Sequence, residues 1–214
     1  MITNVFNLII LDESGSMESI KKPSLDGLNE TLQSIQNAQE TYKDSQVHYA
    51  TLVTFNSDKV KTLLDRVPVS AIRLLNNRDY NPSSCTPLFD AMGSSLSKLR
   101  HQLNKEETNQ VLVTIITDGY ENASKEYSGE MIKHLVEELK AEGWVFAYIG
   151  ANQDVEAVAD SMSIQNRMAY EATPEGASGA YDKFQRNRQI FFNKLSKKEF
   201  DNDIDLQNDF FEEK

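Results

Sequence analysis

Four short runs rich in β-branched and aromatic residues limit what this chain can fold into: NLIILD (7–12), YATLVTF (49–55), QVLVTIITDG (110–119) and GWVFAYIGA (143–151). They alternate only partly between apolar and polar, and near-continuous apolar strands suit a sheet covered on both faces. Helical period fills the gaps. Leu25, Leu28, Leu32 and Ile35 form one stripe within 24–42. Leu88, Met92, Leu96, Leu99 and Leu103 form another within 87–103, where Pro87 suits the first helical position. Met131, Ile132, Leu135, Val136 and Leu139 predict a third helix, closed by Gly143. Val155, Val158, Ala159 and Met162 predict a shorter one. The segment 173–195 opens with Thr173 as cap before Pro174 and carries Tyr181, Phe184, Phe191 and Leu195 on its apolar side.

Two weaker strands complete the pattern. KVKTLLD (59–65) follows the second run after only NSD, too short for a crossover, so the two should pair as an antiparallel edge hairpin. SIQNRMAY (163–170) reads as a last strand. Strands alternating with helices predict an α/β fold. The sheet should be doubly wound, Rossmann-like and mostly parallel, with one antiparallel edge hairpin and helices on both faces. One domain over 1–196 and an acidic C-terminal tail over 197–214 are expected, with no linker dividing the chain.

Composition narrows the function classes. The 214 residues are 39% hydrophobic, enough for one sizeable core. The formal net charge is -11, which argues against nucleic acid as a partner. Residues 199–214 hold seven Asp or Glu and one Lys, so the other 198 residues carry only -5. Cys85 is the single cysteine, which rules out an internal disulfide and suits a reducing compartment. The N-terminal MITNVFNLIILD has no basic flank and its apolar run stops at Asp12, so it reads as a strand rather than a signal peptide. No apolar run approaches the roughly 20 residues needed to cross a bilayer. A soluble cytoplasmic protein without a membrane partner is expected.

In sheets of this kind, ligands bind beyond the carboxyl ends of the strands. Two predicted strands end there in an acid, LIILD at Asp12 and TIITD at Asp118. Ser14 and Ser16 follow Asp12, with Gly15 between them permitting a close bend. Two carboxylates among hydroxyls suit a hard divalent cation such as Mg2+, which takes six oxygens at about 2.1 Å and keeps some waters. Hydroxyls are neutral donors, so such a site leaves the ion under-neutralised and receptive to an acidic oxygen from outside.

DESGSM resembles the D-x-S-x-S signature of the von Willebrand factor type A (VWA) domain. In that family a metal-ion-dependent adhesion site also takes a Thr and an Asp from two later loops. SSCTPLFDAM supplies Thr86 ahead of a helix and TIITDGYEN supplies Asp118 at a strand end. The resemblance covers roughly 3–195 and implies a metal set of Asp12, Ser14, Ser16, Thr86 and Asp118. It implies Mg2+, or Mn2+ or Ca2+, completed by a protein partner presenting an Asp or Glu. TPLFDAM, TDGYEN and YIGANQDV resemble small single-domain bacterial and phage members.

Plainer roles compete for these residues and their neighbours. Ser14 and Ser16 also suit an ordinary turn, and Thr86 also suits a helix N-cap. Asp90 falls in the first turn of its helix, where the macrodipole favours an acid, and next suits a partner that supports the metal ligands. Glu13 reads as a solvent-facing rim residue, or else as a group that tunes the site or mimics a ligand; Glu121 and Asn122 read as the end of a turn, and Asn152 and Asp154 as a helix start near the same rim. Cys85, His48, His101 and His134 match no catalytic or zinc pattern. In the tail, Asp201, Asp203, Asp205, Asp209 and Glu212 mimic EF-hand spacing. Leu206 stands where glycine is needed and no exiting helix follows, so the segment reads as a solvated acidic tail. Its Phe200, Ile204, Phe210 and Phe211 offer docking groups.

Three functions stand side by side. The first is a non-catalytic, metal-dependent protein-binding module. The second is a metal-assisted phosphotransferase or phosphatase with Asp12 as nucleophile, although Ser14 stands where one common pattern wants a second acid. The third is a metal-independent scaffold. Oligomeric state is open.

Overall fold

The computed structural model describes residues 2–104, 107–197 and 210–211. Six strands form one sheet: β1 (Thr3–Asp12), β2 (Gln46–Asn56), β3 (Lys59–Pro68), β4 (Asn109–Thr117), β5 (Val145–Ala151) and β6 (Arg167–Tyr170), in the order β3-β2-β1-β4-β5-β6. All neighbours run parallel except β2 and β3, which form the expected antiparallel edge hairpin. The helices are α1 (Lys21–Thr41), α2 (Leu88–Gln102), α3 (Gly129–Ala141), α4 (Val155–Ser161) and α5 (Pro174–Lys197).

The near-continuous apolar strands follow from burial on two sides. Val5, Ile9 and Leu11 of β1 face a core shared with α1 and α5, whereas Leu8 and Ile10 face a second core with α2, α3 and α4. Both faces of the central strands therefore enter a core, and alternation is lost. Pro87 serves as the cap residue of α2 rather than its first helical residue, and Thr86 makes no capping bond to that helix. The tail residue Phe210 is buried against Phe184 and Phe191 of α5, and its backbone N donates to Asn166 Oδ1 at 3.1 Å. Phe200, Ile204 and the acids of the EF-hand-like spacing lie outside the described residues. No helix among the described residues is long and apolar enough to cross a membrane.

The α1–α5 side contains an unusual polar pair. Arg188 of α5 is buried over the Phe184 ring, 4.9 Å from its centroid, and its Nη2 donates to Thr31 O at 3.2 Å. His48 of β2 is equally buried, paired with Gln46 through Nε2 at 2.9 Å and edge-on to Phe192. Burial, reinforced by the Arg188 charge, lowers the His48 pKa to about 4 from an ordinary 6.5. The fold thus requires neutral imidazole, and the unfolded chain binds the extra proton between those two values. The His48 contribution should be full above pH 6.5 and should fall by up to about 3 kcal/mol as pH drops toward 4, opposed over the same range by Asp12, whose pKa is raised to about 6. Urea titrations of wild type and His48→Gln should therefore diverge as pH falls through that window; parallel pH profiles would exclude His48 as a source.

Candidate metal centre

The register of the sheet assembles the site. Leu11 stands opposite Ile116, which brings Asp12 level with the Thr117–Asp118 end of β4. Asp12 is fully buried. Its Oδ1 accepts from Ser14 N at 2.7 Å and its Oδ2 from Thr117 Oγ1 at 2.6 Å. The chain then enters a 3-10 turn, Gly15–Ile20, that leads into α1. Ser14 Oγ lies 3.2 Å from Ser16 Oγ, and Ser16 Oγ donates to Asp118 Oδ1 at 2.5 Å. A Cβ on Gly119 would sit 3.7 Å from both Ser16 Oγ and Thr86 Oγ1, so the absence of a side chain there leaves those hydroxyls open. The five oxygen-bearing residues singled out in the sequence thus occupy one end of the sheet, on three separate loops.

Electrostatics at this point are unbalanced. Asp118 is 2% exposed and its Oδ2 is buried without a hydrogen-bond partner. Burial raises the Asp12 pKa to about 6, against the lowering effect of the Thr117 and Ser14 hydrogen bonds; the nearby Asp118 charge adds to the rise. Burial raises Asp118 as well, opposed by the Ser16 bond. Among the described residues neither carboxylate forms an ion pair with Lys, Arg or His. The same residues include no cluster of three His, Cys, Asp or Glu suited to a metal. Two carboxylates among neutral hydroxyls have the oxygen chemistry that hard divalent cations take.

Several neighbours differ from their sequence reading. Glu13 is not on the rim: it is 1% exposed, and its Oε1 accepts from Asn81 N at 2.6 Å. Its backbone O accepts from Ser83 N, so the segment bearing Thr86 folds over it. Asp90 lies in the first turn of α2 as expected and has a further role. Its carboxylate accepts from the backbone N of Lys125, Glu126 and Tyr127, holding the loop after β4, and burial partly offsets the lowering of its pKa by those bonds. Glu121 reaches the other way, accepting from Phe89 N at 2.9 Å at the start of α2. Asp154 caps α4 as expected, accepting from Ala157 N. His101 and His134 lie on α2 and α3, and Cys85 is free and exposed.

Two supporting residues escaped the sequence reading. Thr117 left a weak signal, a hydroxyl at the end of an apolar strand beside Asp118. Tyr80, fully buried, donates to Asp12 O at 2.7 Å from a long loop whose sequence has no regular period. Thr117→Val should remove the donor to Asp12 Oδ2 while keeping side-chain shape. It should lower unfolding stability in EDTA by about 1–3 kcal/mol, the range for orphaning a buried acceptor. Urea denaturation measures this, and an unchanged midpoint would show that the bond contributes nothing.

Known proteins share this architecture. Proximal thread matrix protein 1 from the mussel byssus, solved with a zinc-occupied MIDAS motif, superposes with TM-score 0.58 at 14% identity, covering 86% of this chain and 46% of that one. This chain therefore spans less than half of the mussel protein. The SpRpn10 VWA domain gives TM-score 0.54 at 13% identity, over 83% of this chain and 94% of that domain. The pilus adhesin SpaC of Lactobacillus rhamnosus GG gives 0.61 at 13% identity, over 92% of this chain and 31% of the adhesin. At such identities the likeness is one of fold. No curated protein matches the sequence. The family model for the von Willebrand factor type A domain matches residues 8–182, which take in the whole sheet from the middle of β1 to β6 together with all three site loops, and the chain belongs to that family.

Proposed function

We propose that this chain is a non-catalytic protein-binding module that depends on a divalent cation. The proposed donors are Asp12, Ser14, Ser16, Thr86 and Asp118. The proposed ion is Mg2+, with Mn2+ or Ca2+ as substitutes, and the proposed partner is a protein presenting an Asp or Glu. The observation that carries this reading is the buried, unpaired carboxylate pair. Asp118 Oδ2 has no hydrogen-bond partner, and no basic side chain compensates either acid among the described residues. Structures are normally built to avoid such an arrangement, and a hard cation relieves it. The zinc-occupied MIDAS motif of the mussel protein lends support from a related fold.

The chain's own groups divide the work. Thr117 and Ser14 N orient Asp12, and Ser16 orients Asp118. Gly119 keeps the space beside Ser16 and Thr86 clear. When bound, the ion supplies an under-neutralised positive centre for a partner's carboxylate. The nucleophile reading fits less well, because Asp12 is fully buried with both oxygens already accepting hydrogen bonds. We propose further that residues 1–196 form the interacting unit, that 197–214 are an acidic appendage, and that the protein acts in the cytoplasm of a bacterium or its phage.

Calorimetric titration should show Mg2+ and Mn2+ binding to the wild type. At a hundred times the dissociation constant, the ion should add about 2.7 kcal/mol to unfolding stability, a gain that EDTA reverses. Asp12→Ala should abolish both effects while retaining a folded far-ultraviolet spectrum. A wild type that binds neither ion would overturn the reading and favour a metal-independent scaffold.

A further inference from the structure

Among the proposed donors, Thr86 differs in one respect. Ser14, Ser16, Asp12 and Asp118 are linked to one another through side-chain hydrogen bonds. The Thr86 hydroxyl makes no hydrogen bond among the described residues, so its placement rests on its main chain. That main chain is gripped by one residue on both sides. Thr86 N donates to Asn122 Oδ1 at 2.9 Å, and Thr86 O accepts from Asn122 N at 3.1 Å.

Asn122 is itself held independently of the candidate metal centre. Glu121 Oε1 accepts from Ala123 N and Ser124 N, and its Oε2 accepts from Phe89 N and Ser124 Oγ. Asp90 N in turn donates to Ser124 Oγ, while the Asp90 carboxylate takes the backbone N of Lys125, Glu126 and Tyr127. The first turn of α2 and the loop after β4 thus hold each other by exchanged carboxylates. Asn122 connects that clasp to Thr86.

We propose that Asn122 is a positioning residue for the metal centre, setting the location of Thr86 Oγ1 relative to Ser16 and Asp118. The inference rests on the metal reading above. Asparagine suits the position chemically. Its carbonyl accepts from Thr86 N as a carboxylate would, without placing a third negative charge beside Asp12 and Asp118. Asn122→Ala removes the bond to Thr86 N and leaves the backbone bond and the Glu121–Asp90 clasp in place, so the fold should survive.

The test titrates Mn2+ calorimetrically into the full chain as wild type, Asn122→Ala, Asn122→Asp, Thr86→Ala and the Asn122→Ala/Thr86→Ala double variant, with thermal melts in EDTA alongside. Asn122→Ala should weaken Mn2+ binding about 10–100-fold, as removal of a supporting partner does. Its metal-free melt should remain a single cooperative transition, lowered by no more than the loss of one part-buried hydrogen bond. Asn122→Asp, which keeps the acceptor, should restore most of the affinity. In the Thr86→Ala background, Asn122→Ala should cost nothing further, because no hydroxyl remains to be placed. An Asn122→Ala variant that binds like wild type would overturn the proposal, as would an undiminished loss in the Thr86→Ala background. A wild type that binds no Mn2+ would instead remove the metal reading, and this inference with it.

Discussion

The upper end of this sheet is organised around two carboxylates withdrawn from water without a basic partner among the described residues. Asp12 is enclosed completely and Asp118 almost so, and burial pushes both toward the protonated form. A buried acid is normally neutralised by an arginine or lysine, or satisfied at every oxygen. Here the satisfaction is incomplete, with Asp118 Oδ2 left over. The surrounding hydroxyls and the bare Gly119 lie beside that deficit, which is why we propose a cation there.

The deficit persists because three loops are held from outside the site. The first is the direct continuation of β1, pinned by Thr117 and Tyr80. The second, carrying Thr86, is tied to Glu13 on one side and to Asn122 on the other. The third leaves β4 at Asp118 and is locked to α2 through Glu121 and Asp90. A close approach supports that lock: a Cβ on Gly93 of α2 would fall 2.2 Å from the Tyr127 ring. The five candidate residues are thus positioned by contacts within the chain itself, and pre-organisation of that kind favours binding.

Much of this was legible beforehand. The double burial of NLIILD and QVLVTIIT announced a covered parallel sheet, and the three-residue NSD connection forced the antiparallel edge. Asp12, Ser14, Ser16 and Asp118 stand out by residue type and place after a strand, whereas Thr86 and the proposed five-residue set come from the resemblance to the VWA family. Glu13 was misread because a charged residue in a turn normally faces solvent, and nothing local signals that a distant loop will cover it. Asp90 stands in the first turn of α2 and Glu121 closes the turn after Asp118, as read, but each also has a distant partner that spacing does not announce. Each caps the other's segment across more than thirty positions of sequence, and single-chain spacing carries no trace of that exchange.

The sequence by itself determined the order of elements, the two-sided burial of the central strands and the chemical type of the candidate donors. These follow from periodicity and from side-chain chemistry, which are local properties. Only the tertiary structure decided that the carboxylates lack counter-charges among the described residues, that Thr86 is held through its backbone, and that Glu13 is enclosed. Each of those depends on which loops meet when parallel strands are brought into register, and that meeting is decided by packing over the whole sheet rather than by any stretch of chain alone.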